Sequence, residues 1–157
     1  MKIFCLILLT SLLVSSTFGY SIINSRDPHD IKRQLTGNDW NLYVIYFYDS
    51  YSGKIDPNLS SHLKNNILDR YGDQVVYGEV DLAERENLEL LDLVEPYNKG
   101  DYSRSGNTKA KDVPFVLLLS HGYGWTLQGD NIHVNIDDYM DAIISHAQES
   151  QTVECEF

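Results

Sequence analysis

Two cysteines are the only thiols in this 157-residue chain, Cys5 near its start and Cys155 near its end. A thiol attacks as its thiolate, and disulfide exchange needs a second thiol to resolve the mixed disulfide. Cys5 falls in an apolar N-terminal run, and Cys155 stands between Glu154 and Glu156, acids that raise a thiol pKa rather than lower it. No internal bridge is expected, which leaves Cys155 for an intermolecular disulfide or a weak monothiol activity. Ser52, followed by Gly53, is the hydroxyl to weigh as a nucleophile, but a serine needs a base within hydrogen-bond reach and an oxyanion hole. His29, His62, His121, His133 and His146 show no spacing that ties one of them to Ser52. The acids Glu84, Glu86, Glu89, Asp92 and Glu95 recur at helical spacing on a solvated face, and no run matches a calcium loop. Neither a metal nor a cofactor is expected; low-affinity cation binding by bulk charge is the minor alternative.

Whatever chemistry there is takes place in a strongly acidic molecule, of net charge −11, for which nucleic acid is a poor partner. Residues 1–19 read as a secretory signal. Lys2 supplies the positive start, and Ile3 to Val14 is apolar except for Thr10 and Ser11. That run is too short for a bilayer, which takes roughly 20 residues, and Thr17 and Gly19 set cleavage before Tyr20. The expected organisation is a single domain over 20–149 with a tail over 150–157. It has no later membrane span and belongs in the secretory pathway, in the ER lumen or secreted. In such a compartment Asn58-Leu59-Ser60 is a glycosylation sequon at Asn58.

The elements that hold these residues follow from hydrophobic patterning. Asn41 to Tyr48 is aromatic and β-branched with no Gly or Pro, as in a strand buried on both faces. Asp56-Pro57 is an N-cap followed by Pro at the first helical position, and Leu59, Leu63 and Ile67 share one face of a helix that ends near Gly72. Val75 to Leu82 reads as a second strand. Ala83 to Val94 reads as an amphipathic helix with Leu88, Leu91 and Val94 inward, stopped by Pro96. Pro114 to Leu119 is an apolar strand, His121 to Gly124 a turn, and Trp125 to Gln128 the return strand. Asn135 is expected to cap a last helix, and Asp30 to Leu35 to form a short one. Strand, helix, strand, helix, then strand-hairpin-helix makes an α/β sandwich with a mixed sheet.

Phe47-Tyr-Asp-Ser-Tyr-Ser-Gly-Lys-Ile55 after an aromatic strand, Val80-Asp81 ending the next, Val113-Pro114 before an apolar strand, and a hairpin closing at Gly129 before the last helix together carry a likeness. Over residues 30 to 148 the chain resembles the thioredoxin and protein disulfide isomerase family. The resemblance implies a thioredoxin-like three-layer sandwich, a mixed central sheet flanked by helices. It puts Ser52 in the place of the attacking cysteine and Ile55 in that of the resolving one. Tyr46 would replace the buried acid that assists proton transfer, and Pro114 would be the family's cis-proline. With both sulfurs missing, it implies a redox-inactive binding or chaperone-like module. Its groove for a polypeptide partner, formed by strand addition, would comprise Tyr51, Ser52, Gly53, Val113 and Pro114. Against this stand a Tyr51 packed in the core with Pro114 merely fixing a turn, an oxidoreductase-related enzyme acting through Cys155, and a structural subunit of a secreted or membrane-associated assembly. Residues 97–112, with Lys99, Arg104, Lys109 and Lys111 against Asp101 and Asp112, are expected to form a long polar loop, either disordered or docking an acidic partner.

Overall fold

A computed structural model of the chain describes residues 19–37, 39–94, 96 and 113–154. Its organising element is β2 (Leu42–Tyr48), whose side chains from Leu42 to Phe47 are all buried. A strand covered on both faces needs neighbours on both edges as well, because its backbone donors and acceptors have no water to turn to. β3 (Val75–Asp81) lies parallel to it on one side and β4 (Phe115–Ser120) antiparallel on the other. β5 (Tyr123–Gln128) returns along β4, and β1 (Ser21–Ile22) runs parallel to the outer side of β3. Among the described residues the order is β1-β3-β2-β4-β5. β1 is absent from the sequence reading because two exposed residues carry no alternation to detect.

The two faces of β2 sort the remaining elements into layers. Leu42, Val44 and Tyr46 meet Leu59, Leu63 and Ile67 together with Ile136, Met140 and Ile143 of α4 (Asp130–Glu154). Tyr43, Ile45 and Phe47 meet Ile31 and Leu35 of α1 (Pro28–Leu35) together with Leu90 and Val94. α1 begins two residues before the expected start because Asp27 is the cap, its carboxylate accepting the His29 N–H at 2.9 Å, and Pro28 is already helical.

Four expectations are corrected. The helix expected from Asp56 to Gly72 is α2 (Pro57–His62), followed by a π turn over Leu63–Ile67 and 3₁₀ turns over Leu68–Arg70 and Gly72–Gln74, although its apolar spacing stays buried. The segment Ala83 to Val94 is 3₁₀ over Arg85–Leu90 and becomes α3 only at Leu91–Val94. Of the residues expected inward, Val94 is buried and Leu91 packs against the core, whereas Leu88 is 39% exposed and Asn87 and Leu90 are buried in its stead. Asn135 lies inside α4 rather than at its N-terminus. Gly129, at φ +57°, turns the chain directly out of β5, and the Ile132 N–H reaches the Gly129 carbonyl at 3.1 Å. The hairpin is also tighter than expected. Ser120 pairs with Tyr123, so only His121 and Gly122 turn, both at positive φ as a two-residue loop matched to strand twist requires.

One hydroxyl ties a helix start to the central strand. Tyr46 Oη accepts the Asp56 N–H at 2.9 Å and donates to the Asp56 carbonyl at 3.3 Å, while Asp56 Oδ1 accepts the Asn58 and Leu59 N–H groups at 3.0 Å. Burial raises the Tyr46 pKa, so the hydroxyl keeps the proton it donates. Tyr46→Phe keeps the ring and strands the Asp56 N–H. It is expected to cost about 1–3 kcal/mol, read as a lower midpoint in urea with an unchanged slope.

Candidate functional site

β2 and β3 end side by side, and β4 begins beside them. Tyr48 pairs with Asp81, and Phe47 with Phe115, so the register brings Val113-Pro114 to the end of the sheet where β2 leaves it. The Val113-Pro114 peptide bond is cis, at the position the resemblance assigned to a cis-proline.

Between β2 and α2 the chain closes a turn. Asp49 and Lys54 exchange backbone hydrogen bonds at 3.2 and 3.0 Å, Asp49 Oδ1 accepts the Ser52 N–H at 3.0 Å, and Gly53 sits at φ +72°. Ser52 therefore does not begin a helix, as its alignment with the attacking cysteine had implied. The Asp49 carboxylate captures its amide first, and Asp56-Pro57 supplies the cap and first position of α2. Ser52 thus lacks the helix N-terminal field that depresses a nucleophile's pKa, and its N–H is committed to Asp49.

The turn is pinned to β3 through Asp81. One carboxylate oxygen accepts the Ser50 and Ala83 N–H groups, each at 3.0 Å, and the other accepts the Ser50 hydroxyl. Burial works to raise the Asp81 pKa, but these bonds outweigh it and hold the carboxyl below its ordinary value. Asp49 is likewise lowered, chiefly by the Ser52 N–H. The next inward carboxylate, Glu79, accepts the Lys64 ammonium at 2.6 Å and the Ser60 and Tyr77 hydroxyls at 2.7 and 2.9 Å. Beside this row lies an open cleft of about 360 Å³, bordered by Arg26, Tyr48, Glu79, Asp81 and Glu84.

At the tip of the turn Tyr51 is 94% exposed, which excludes the alternative that it packs in the core. Ile55, 42% exposed, follows it. Ser52 and Gly53 are exposed, Pro114 is half-buried, and the Val113 side chain belongs to the core beneath β4. Asn58 is exposed in the first turn of α2, while the Ser60 hydroxyl of its sequon is held by Glu79. Cys155, residues 97–112 and residues 1–18 lie outside the described residues. Sequence reasoning missed one association: His133 at the start of α4 stands 3.8 Å from Asp56 Oδ2, with its ring 5.4 Å from that of His62. These groups lie on α2 and α4, and only the packing of both helices on the β2 face joins them. Among the described residues no group of three or more His, Cys, Asp or Glu is arranged to hold a metal.

No family model matches the chain, and no curated protein does. Among solved structures it is similar to thioredoxin O2 from Arabidopsis thaliana in its oxidized state, with a TM-score of 0.52 and 16% identity over 80% of this chain and 94% of that one. At that identity the likeness is one of fold, and the fold is thioredoxin-like α/β.

The Asp81 bonds set a pH dependence. A carboxyl lowered in the folded state contributes stability above its unfolded pKa, near 3.9, and loses it as pH falls through the folded value. Asp81→Asn is expected to be less stable than the parent protein at neutral pH and to lose less on acidification below about pH 4, measured by thermal melts across pH.

Proposed function

We propose that this chain is a redox-inactive, thioredoxin-like binding module of the secretory pathway that engages a polypeptide partner at the sheet end formed by Tyr51, Ser52, Gly53, Val113 and Pro114. The observation that carries the reading is the exposure of Tyr51 on a turn held at Asp49 and Asp81. A large aromatic ring presented on a fixed backbone offers contact area at low entropic cost, which is how aromatic anchors dominate protein interfaces. Exposed Ile55 follows the same turn and adds apolar surface, and the Val113 and Pro114 backbone leads into β4 at that end of the sheet. The non-catalytic part rests on chemistry: the fold's exchange reaction requires two thiols, and residues 49–56 contain none. Tyr46 in the place of an internal acid removes a proton carrier from the same position, because its hydroxyl is committed to Asp56. The secretory assignment rests on the leader-like residues 1–19 and on the sequon at Asn58.

A reduced, carbamidomethylated polypeptide that cannot refold serves as a defined partner. The protein is expected to bind it, and Tyr51→Ala to weaken binding by about 2 kcal/mol, roughly thirtyfold in Kd, with no change in thermal midpoint. Equal binding by the variant would remove the anchor role. Catalysed insulin reduction that disappears in Cys155→Ser would instead establish an enzyme.

A further inference from the structure

Another open cavity, of about 350 Å³, lies at the opposite end of the sheet from Pro114, where β2 begins at Leu42, β3 follows Gln74 and β4 ends at Ser120. Ser120 follows Val116 and Leu118 along the face of β4 that packs under α4, and Ile144 and Ala147 of α4 close the cavity on that side. The alternation calls for an apolar side chain there, yet the residue is a serine, 2% exposed. Its Oγ is enclosed and has no hydrogen-bond partner among the described residues. Buried hydroxyls are almost always paired, so an unpaired one on a cavity wall calls for a partner that the chain itself does not supply.

The other lining groups select its chemistry. Gln74 and Asn41 offer amides, the latter also bonded to Asp39 at 3.1 Å; Asp73 offers a carboxylate, and no lining side chain is cationic. A phosphate or carboxylate ligand would find no positive charge to hold it and the Asp73 charge to repel it. An ammonium group could use Asp73 but, having only donors, would leave the Ser120 O–H unanswered. A hydroxyl both donates and accepts, as the serine and the amides do. Trp40, its indole stacked on His121 at 3.9 Å, joins Ile144 and Ala147 as an apolar wall for C–H groups. We infer that this cavity binds a neutral sugar, a single pyranose unit, whose hydroxyls pair with Ser120, Gln74 and Asp73 while its C–H surface lies against Trp40 and Ile144. The volume falls at the lower end of the roughly 300–1,000 Å³ found for small-molecule sites.

Titration of the protein with D-glucose, D-mannose, D-galactose and N-acetyl-D-glucosamine, followed by proton–nitrogen correlation spectra, tests the assignment. At least one sugar is expected to move the Ser120 amide and the Trp40 indole N–H saturably at millimolar concentration, while sodium acetate and choline chloride move neither. Ser120→Ala is expected to weaken that sugar about tenfold without lowering the thermal midpoint, because the hydroxyl it removes is unpaired. Gln74→Ala, at the exposed rim, is expected to weaken it as well and reads the site if the buried variant does not fold. Methyl glycosides of the sugar that binds separate two sources of the ligand: kept affinity assigns the end unit of a glycan, lost affinity the free sugar. The proposal is overturned by the absence of a saturable shift with any of these sugars, or by an equal shift with acetate or choline. Sugar binding that both variants leave unchanged would also overturn it. So would a Ser120→Ala variant that keeps binding and loses stability, since the hydroxyl would then have its partner inside the fold.

Discussion

A strand without a solvent-facing side makes demands in every direction, and β2 meets them with the rest of the molecule. Its two edges are taken by β3 and β4, one parallel and one antiparallel, and its two faces by separate layers of helix and turn. The stacked rings of Phe47 and Phe115, 4.7 Å apart, fill one side near the end of the sheet. On the other side Tyr46 brings a buried hydroxyl that needs a partner, and it finds both backbone groups of Asp56. The same burial that makes β2 the centre of the fold thus decides where α2 begins.

Beyond Tyr48 the chain has to leave the core and change direction, and it does so with carboxylates. Asp49 holds Ser52, Asp81 holds Ser50, and Asp56 holds Asn58 and Leu59. Each acid accepts N–H groups that would otherwise lack a partner, the charge-assisted form of capping. The electrostatics of this region are spent on fixing backbone.

Much of this was legible in the residues. Unbroken apolar runs located β2 and β4, a β-branched stretch located β3, the Asp-Pro pair at 56–57 marked α2, and Val113-Pro114 fell at the sheet end where the resemblance required it. What escaped has identifiable causes. The 3₁₀ stretch at Arg85–Leu90 uses another period than the one sought, and Asn135 looked like a cap because the turn at Gly129 depends on φ rather than on side-chain type. The placement of Ser52 failed because family alignment counts positions, whereas the local competition between Asp49 and Asp56 for backbone amides decides where a helix starts. The approach of His133 to Asp56 was beyond reach, since helices distant in sequence make it.

The acids that secure the turn have a consequence for when its tip is available. Asp49 and Asp81 are held on the low side of the carboxylate range, so mild acidification, which would protonate an imidazole, leaves them ionised. A loop fastened by histidine would let go along an acidifying route; this one keeps its grip. Tyr51 is in this sense a standing feature of the surface, displayed alike in neutral and weakly acid surroundings.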